Sequence, residues 1–154
     1  MRVAGYKWLF VGSPWQRAAG AVLVSSFDAH EWTLGPNVAS YAPSAENLWG
    51  FNAYYSPLRA RLAAPRDAVV VGVVGFGTVA LFSRGWRSEK AEIVAAYLPR
   101  RLRRRWDDEL QPLMTSLRTA YDIPVYLSLR PLRRETERWG VPGRALLHGE
   151  RPSV

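Results

Sequence analysis

The pattern of apolar and polar positions divides the chain into a sheet-forming first part and a helical last part. Residues 5–12, GYKWLFVG, read as a first strand, closed by the turn GSPWQRAAG. Residues 21–27, AVLVSSF, are β-branched and aromatic and read as a second. Gly35-Pro36-Asn37 marks a turn, and the aromatic-rich WGFNAYY of residues 49–55 reads as a third strand. Ser56-Pro57 has the form of a helix start, with serine at the N-cap and proline at the first helical position. LRARLAA then makes a short helix that ends near Pro65.

The longest apolar run is VVVGVVGFGTVALF, Val69 to Phe82. It is too short to span a bilayer and reads as a buried strand. Gly72, Gly75 and Gly77 inside it predict bends, bulges or close backbone approach. After Arg84–Lys90, AEIVAAYL reads as the partner strand of a hairpin, and a long hairpin bent at glycines is how small barrels turn.

Pro99 opens the clearest helix. Leu102, Trp106, Leu110, Leu113 and Leu117 recur every three or four residues and form one apolar stripe. Pro112 inside the stripe predicts a kink or two shorter helices. IPVYLSL, 123–129, reads as a short strand, and RPLRRETERWG as a last helix that Gly140 ends. Residues 141–154 read as a loose basic tail. The expected architecture is a single α+β domain over residues 1–140. It has a strongly curved antiparallel sheet or partly closed small barrel of about six strands, one short inserted helix and two C-terminal helices.

Composition adds a partner class. The 154 residues suit one domain, and 48% apolar content is enough for a core. The net charge of +8 favours nucleic acid, acidic protein or anionic lipid as partner. The charge is concentrated late: residues 84–154 hold fifteen Lys or Arg against nine Asp or Glu, and residues 1–83 hold six against four. Lys7 and Lys90 are the only lysines. Arginine suits bidentate phosphate recognition, and a GC-rich genome produces the same bias. With no cysteine, disulfides, thiolate metal sites and cysteine nucleophiles are excluded. That fits a reducing cytosol, and MRVAGYKWLFVG lacks the long apolar core of a signal peptide.

Two basic segments are candidate sites. In RGWRSEK, 84–90, Gly85 is expected to take a positive φ at a hairpin tip or bulge. Strand alternation puts Trp86, Ser88 and Lys90 on one face and Arg87 and Glu89 on the other. Trp86 can stack a base while Arg84, Arg87 and Lys90 hold phosphates. The alternative is a solvated hairpin rim with Trp86 half-buried. In RRLRRR, Arg100, Arg101, Arg103, Arg104 and Arg105 cover the exposed arc of a helix start, where positive charge opposes the macrodipole. They can track phosphates, or be a solvated face.

Other chemistry is weakly encoded. The glycines at 72, 75 and 77 match neither a dinucleotide fingerprint nor a phosphate-binding Gly-Lys-Ser/Thr loop. FDAHEW supplies Asp28, His30 and Glu31 as conceivable ligands or acid–base groups. No metalloprotease-like spacing and no nucleophile elbow accompany them. No catalytic residue, cofactor or metal is therefore expected.

The order of motifs resembles a family of small, mostly uncharacterised proteins of actinobacteria and their phages and prophages. Trp32, Gly35, Asn37 and Ala39 match its first element, and Gly50-Phe51-Asn52-Ala53 the next. Gly75 and Gly77 follow, then Arg84-Gly85-Trp86-Arg87, then Ile93 to Pro99, and YDIPVY matches the family's last strand. The resemblance covers roughly residues 5–127. Many members carry Cys-x-Cys where this chain has Asn47-Leu48-Trp49, so a metal or redox role of those cysteines does not transfer. The resemblance implies a setting, the cytoplasm of a bacterial host during phage or prophage life, and no mechanism.

Together these readings lead to a non-catalytic nucleic-acid-binding accessory protein, with a PUA-like small barrel as its fold analogue. The alternative is a module that binds or inhibits a host or virion protein through exposed aromatics and arginines. A nucleotide-binding or nucleotide-processing protein comes third, and an enzyme would place a concave pocket around Asp28, His30 and Glu31.

Overall fold

The computed structural model describes residues 1–12, 23–25, 30–44, 49–105 and 110–147; the side chains of Arg104 and Arg105 lie outside that description. These residues form an α+β fold of eight strands and five helices. In chain order they are β1 (Val3–Val11), β2 (Leu23–Val24), β3 (Asn37–Val38), β4 (Phe51–Tyr54), α1 (Pro57–Ala63), β5 (Ala68–Leu81), β6 (Gly85–Tyr97), α2 (Arg100–Arg105), α3 (Leu110–Tyr121), β7 (Val125–Tyr126), α4 (Leu129–Trp139), β8 (Val141–Pro142) and α5 (Gly143–Leu147).

The sheet is strongly curved. β1 pairs β5 over Val3↔Gly75 to Phe10↔Ala68, β5 pairs β6, β6 pairs β4, and β4 returns to β1 at Tyr6↔Tyr54. Four strands therefore join in a ring. Trp86 fills its interior. The residue is 1% exposed, and its indole N–H donates to the Ala4 carbonyl at 3.0 Å. A Cβ on Gly5 would lie 2.5 Å from Trp86 Nε1, and one on Gly75 would lie 2.6 Å from Trp86 Cζ3. The ring closes around so large a side chain because two facing backbone positions carry none.

Both faces of the central hairpin are buried, which is why Val69–Val74 shows no alternation. Val69, Val71 and Val73 join the main core with Leu98, Leu102, Leu113 and Leu117. Val70 joins a second cluster with Tyr6, Ala95, Tyr97, Ala60 of α1 and Leu132 of α4. The register steps from Gly72↔Ala95 to Val73↔Ile93, so Val94 is an extra residue in β6. That bulge inverts the alternation. Ala91 and Ile93 before it, and Ala96 and Leu98 after it, all reach the main core.

Several expectations are corrected. The sheet is mixed, not antiparallel: β7 runs parallel to β6, and β8 parallel to β1. Among the described residues there are eight strands and not six, because β3 and β8 are two-residue segments with no periodic signature. Asn37, read as the end of a turn, instead begins a two-residue strand with Val38 that pairs with Ala91 and Lys90. Beyond the inserted helix α1, the described residues of the C-terminal part form four helical segments, against the two expected. The stripe from Leu102 to Leu117 is split between α2 and α3, and Trp106 lies outside the described residues. Pro112 sits in the first turn of α3, where its missing N–H has no intrahelical role. The tail does not begin at 141. Val141-Pro142 pairs with Val3-Ala4, and Gly143 is buried in α5. Gly140 ends α4 as expected, with extended backbone at φ −158°. No helix among the described residues is long and apolar enough to cross a membrane.

Candidate functional site

A strongly charged concavity lies where three chain segments meet. Ser56 caps α1 by accepting from Arg59 N–H at 3.4 Å, and Pro57 follows at the first helical position. The helix runs seven residues, which puts Arg61 in its last turn and Arg66 in the connection to β5. β6 ends at Tyr97, Pro99 starts the turn into α2, and Arg103 N–H bonds to the Pro99 carbonyl at 3.0 Å. The third wall is Leu127, Ser128 and Leu129, the entry to α4. The resulting groove has a volume of about 720 Å³.

Five arginines line it: Arg61, Arg66, Arg100, Arg101 and Arg103. None of the described residues lining it is acidic. Among the described residues these five are in no ion pair, and the pairs Arg2–Glu92, Arg133–Glu137 and Arg138–Glu135 lie elsewhere. Arg103 Nε is buried and has no hydrogen-bond partner among the described residues. Ser128, at the N-cap of α4, makes no capping hydrogen bond. The positive end of the α4 dipole therefore adds to the field of the arginines. Like charges gathered with no acidic group among the described lining residues repel, and a polyanion relieves that repulsion.

The structure divides the sequence-derived candidates. Arg100, Arg101 and Arg103 join this groove. Arg104 and Arg105 belong to α2, with side chains outside the description. Arg84, Trp86 and Arg87 lie at the other end of the β5–β6 hairpin, since Val70 pairs with Tyr97 at the groove end and Leu81 with Trp86 at the far end, and Lys90, opposite Phe76, lies midway along it. The two basic segments do not form one surface. Trp86 is no stacking platform, because it is the interior of the strand ring. Strand alternation was right, but the tryptophan face is the buried one. Gly85 is the first residue of β6 and has no positive φ; a Cβ there would overlap the Ala53 carbonyl oxygen. Arg84 is exposed in the tight connection before β6, while Arg87 and Lys90 are half-buried. Burial lowers the pKa of the Arg87 guanidinium. Arg61 and Arg66 are the members that sequence reading missed. Each is isolated in the chain, and only the fold sets them against residues 100–103.

A second concavity opens beside β1. One edge of β1 pairs with β5 along its length. The other edge meets β4 at Tyr6 and β2 at Phe10 and Val11. Between these two pairings the edge runs through Lys7–Leu9. The opening there has a volume of about 660 Å³ and is lined by Lys7, His30, Tyr41, Trp49, Phe51 and Arg87, among others. His30 packs edge-on against Trp32 and Phe51, at 5.5 and 5.1 Å between ring centroids. Its Nε2–H donates to Asn37 Oδ1 at 3.0 Å. Buried Asn37 also accepts from Thr33 N–H and donates to the Thr33 and Gly35 carbonyls, tying the 33–37 loop together. Of the acid–base candidates, then, His30 lines a cavity, Glu31 is exposed and not part of its lining, and Asp28 lies outside the described residues. No group of three or more potential metal-ligating residues occurs among the described residues.

No family model, no curated protein and no solved structure matches the chain.

Proposed function

We propose that the protein binds nucleic acid without catalysis, holding the phosphate backbone in the arginine groove between α1, α2 and the start of α4. The observation that carries this is the set of five groove arginines with no acidic lining residue and no ion pair among the described residues. The buried, unpartnered Nε of Arg103 supports it, because such a donor is expected to find an acceptor. The resemblance to actinobacterial phage and prophage proteins adds the setting of a bacterial host cell. A second reading, docking onto a host or virion protein, is favoured by the exposed Leu58 and Leu62, one turn apart on α1.

Fluorescence anisotropy with short labelled DNA and RNA over a salt series tests the proposal. If all five arginines contact phosphates, the log–log slope is about −4.5 on duplex DNA and about −3.5 on single strands. The variant Arg61→Gln/Arg66→Gln/Arg101→Gln lowers that slope by about 2 to 3, whereas Arg84→Gln, at the far end of the hairpin, leaves it unchanged. Absence of binding at low salt, or an unaltered slope in the triple variant, rejects the reading. A discrete protein captured in pull-downs after nuclease treatment, and lost with Leu58→Ser/Leu62→Ser, would favour the docking alternative.

A further inference from the structure

The arginine groove holds more than charge. Leu62, near the end of α1, is 72% exposed, and Leu127, just before α4, is 42% exposed. Both line the groove, on two different walls, and Pro65 and Pro99 add apolar surface beside Arg66 and Arg100. Large apolar side chains left in water inside a concavity mark a surface that a ligand covers. A duplex does not cover them. Its base faces are stacked inside, its base edges are reached only through its grooves, and its outer surface is phosphate and sugar. An unpaired strand does, because each nucleotide offers the protein a flat apolar base face as well as a phosphate. Leucine is among the side chains that pack against unstacked base faces, and the plane of a guanidinium does the same. The shape agrees. A groove of about 720 Å³ walled by three segments lies within the range of sites that enclose a ligand, and it admits a slender chain, whereas a convex duplex would rest on its rim.

We propose that the groove selects an unpaired strand over a duplex, with phosphates on its arginines and base faces on Leu62 and Leu127. This rests on the reading of the groove as a nucleic-acid site and adds which form of nucleic acid it takes. The arginines supply the salt-dependent part of the affinity. The leucines supply a salt-independent part, and with it the preference for exposed bases.

The test uses the full-length protein, fluorescence anisotropy and three labelled probes of equal length. One is an unstructured single strand, one the same strand annealed to its complement, and one a strand of abasic sites that keeps the phosphates and lacks the bases. At near-physiological salt the single strand is expected to bind about tenfold or more tightly than either of the others. Leu62→Ser/Leu127→Ser is expected to weaken single-strand binding about tenfold, the scale of base faces covering two leucines, and to leave the duplex and abasic affinities and the salt slope unchanged. Both side chains are exposed, so circular dichroism should show this variant folded. Leu62→Met/Leu127→Met keeps the apolar surface and should keep the preference. The arginine variant Arg61→Gln/Arg66→Gln/Arg101→Gln behaves differently: it lowers the salt slope. Binding of none of the three probes rejects the nucleic-acid reading of the groove, and this inference with it. A duplex or abasic strand bound as tightly as the single strand overturns this inference alone. So does a serine variant that weakens all three probes equally, or none of them.

Discussion

Tyr6 offers a sharp test of how the second core cluster is built. Its ring is buried beneath α4, and its hydroxyl lies near Arg133 and Thr136 without a well-formed hydrogen bond to either. Burial pushes the hydroxyl pKa from 10.0 up to about 12, with the Glu137 carboxylate adding to the effect. The folded state therefore holds this proton more tightly than the unfolded chain does. Its contribution to stability is fully present below about pH 10 and is lost as the pH rises through about 12. Each tenfold difference in proton affinity is about 1.4 kcal/mol. At about pH 11.5 the loss relative to about pH 8 comes to about 2 kcal/mol. Tyr6→Phe removes the titrating group and keeps the ring. Urea unfolding followed by tryptophan fluorescence, at both pH values and for both proteins, measures the difference. Tyr55, Tyr121 and Tyr126 are also raised by burial, but they are common to both proteins and cancel. The parent should lose about 2 kcal/mol more than Tyr6→Phe on going to alkaline pH, and the variant should be no less stable at about pH 8, because an unpaired buried hydroxyl contributes little. Equal losses in the two proteins, or a cost of more than about 1 kcal/mol for the variant at neutral pH, would refute the reasoning.

Two further variants probe the fold around the sites. Gly75→Ala drives a methyl group against the six-membered ring of Trp86 and should cost about 1 to 3 kcal/mol in urea unfolding. Gly75→Ala/Trp86→Phe should recover part of that loss, and no recovery would mean that the strain lies in the backbone. Tyr121→Phe removes a buried hydroxyl that accepts from Leu23 N–H at 2.7 Å and donates to the Trp32 carbonyl at 2.9 Å. It should cost about 2 to 3 kcal/mol and speed amide exchange in β2, and unchanged exchange there would contradict the assignment.

The sequence carried the sheet better than it carried the site. Glycines within a valine run announced curvature: Gly75 lies against Trp86, and Gly77 takes a φ of +74° at the bulge opposite Glu89. The Ser56-Pro57 start and the stop before Pro65 rest on local chemistry, and both ends of α1 fall there. The Val94 bulge has no local signature, because an extra residue in a strand is defined by what it fails to oppose. Trp86 was misplaced for a related reason: alternation says which residues share a face, not which face meets the core. Arg61 and Arg66 were illegible because their significance is proximity to a helix some forty residues later. The motif from Trp32 to Ala39 proved structural. Asn37 ties the loop, Gly35 takes a φ of +78°, and Ala39 N–H bonds to the Glu89 carbonyl.

The bulge in the far half of β5 bears on solubility. Pairing with β1 ends at Gly75, so Phe76–Leu81 has one edge with no strand partner among the described residues. A long valine-rich edge is a template on which a second chain can add a strand. Here Gly77 takes a φ of +74°, and Gly77 and Thr78 together oppose the single residue Glu89. The Glu89 carboxylate accepts the Thr78 N–H at 3.3 Å. Arg2 lies over the Phe76 ring, 4.5 Å from its centroid. The edge is thus kinked, one of its donors is already engaged, and a charge stands at its start. Gly75 makes room for the tryptophan, and Gly77, two residues on, sets the kink that blunts this edge against a neighbouring copy.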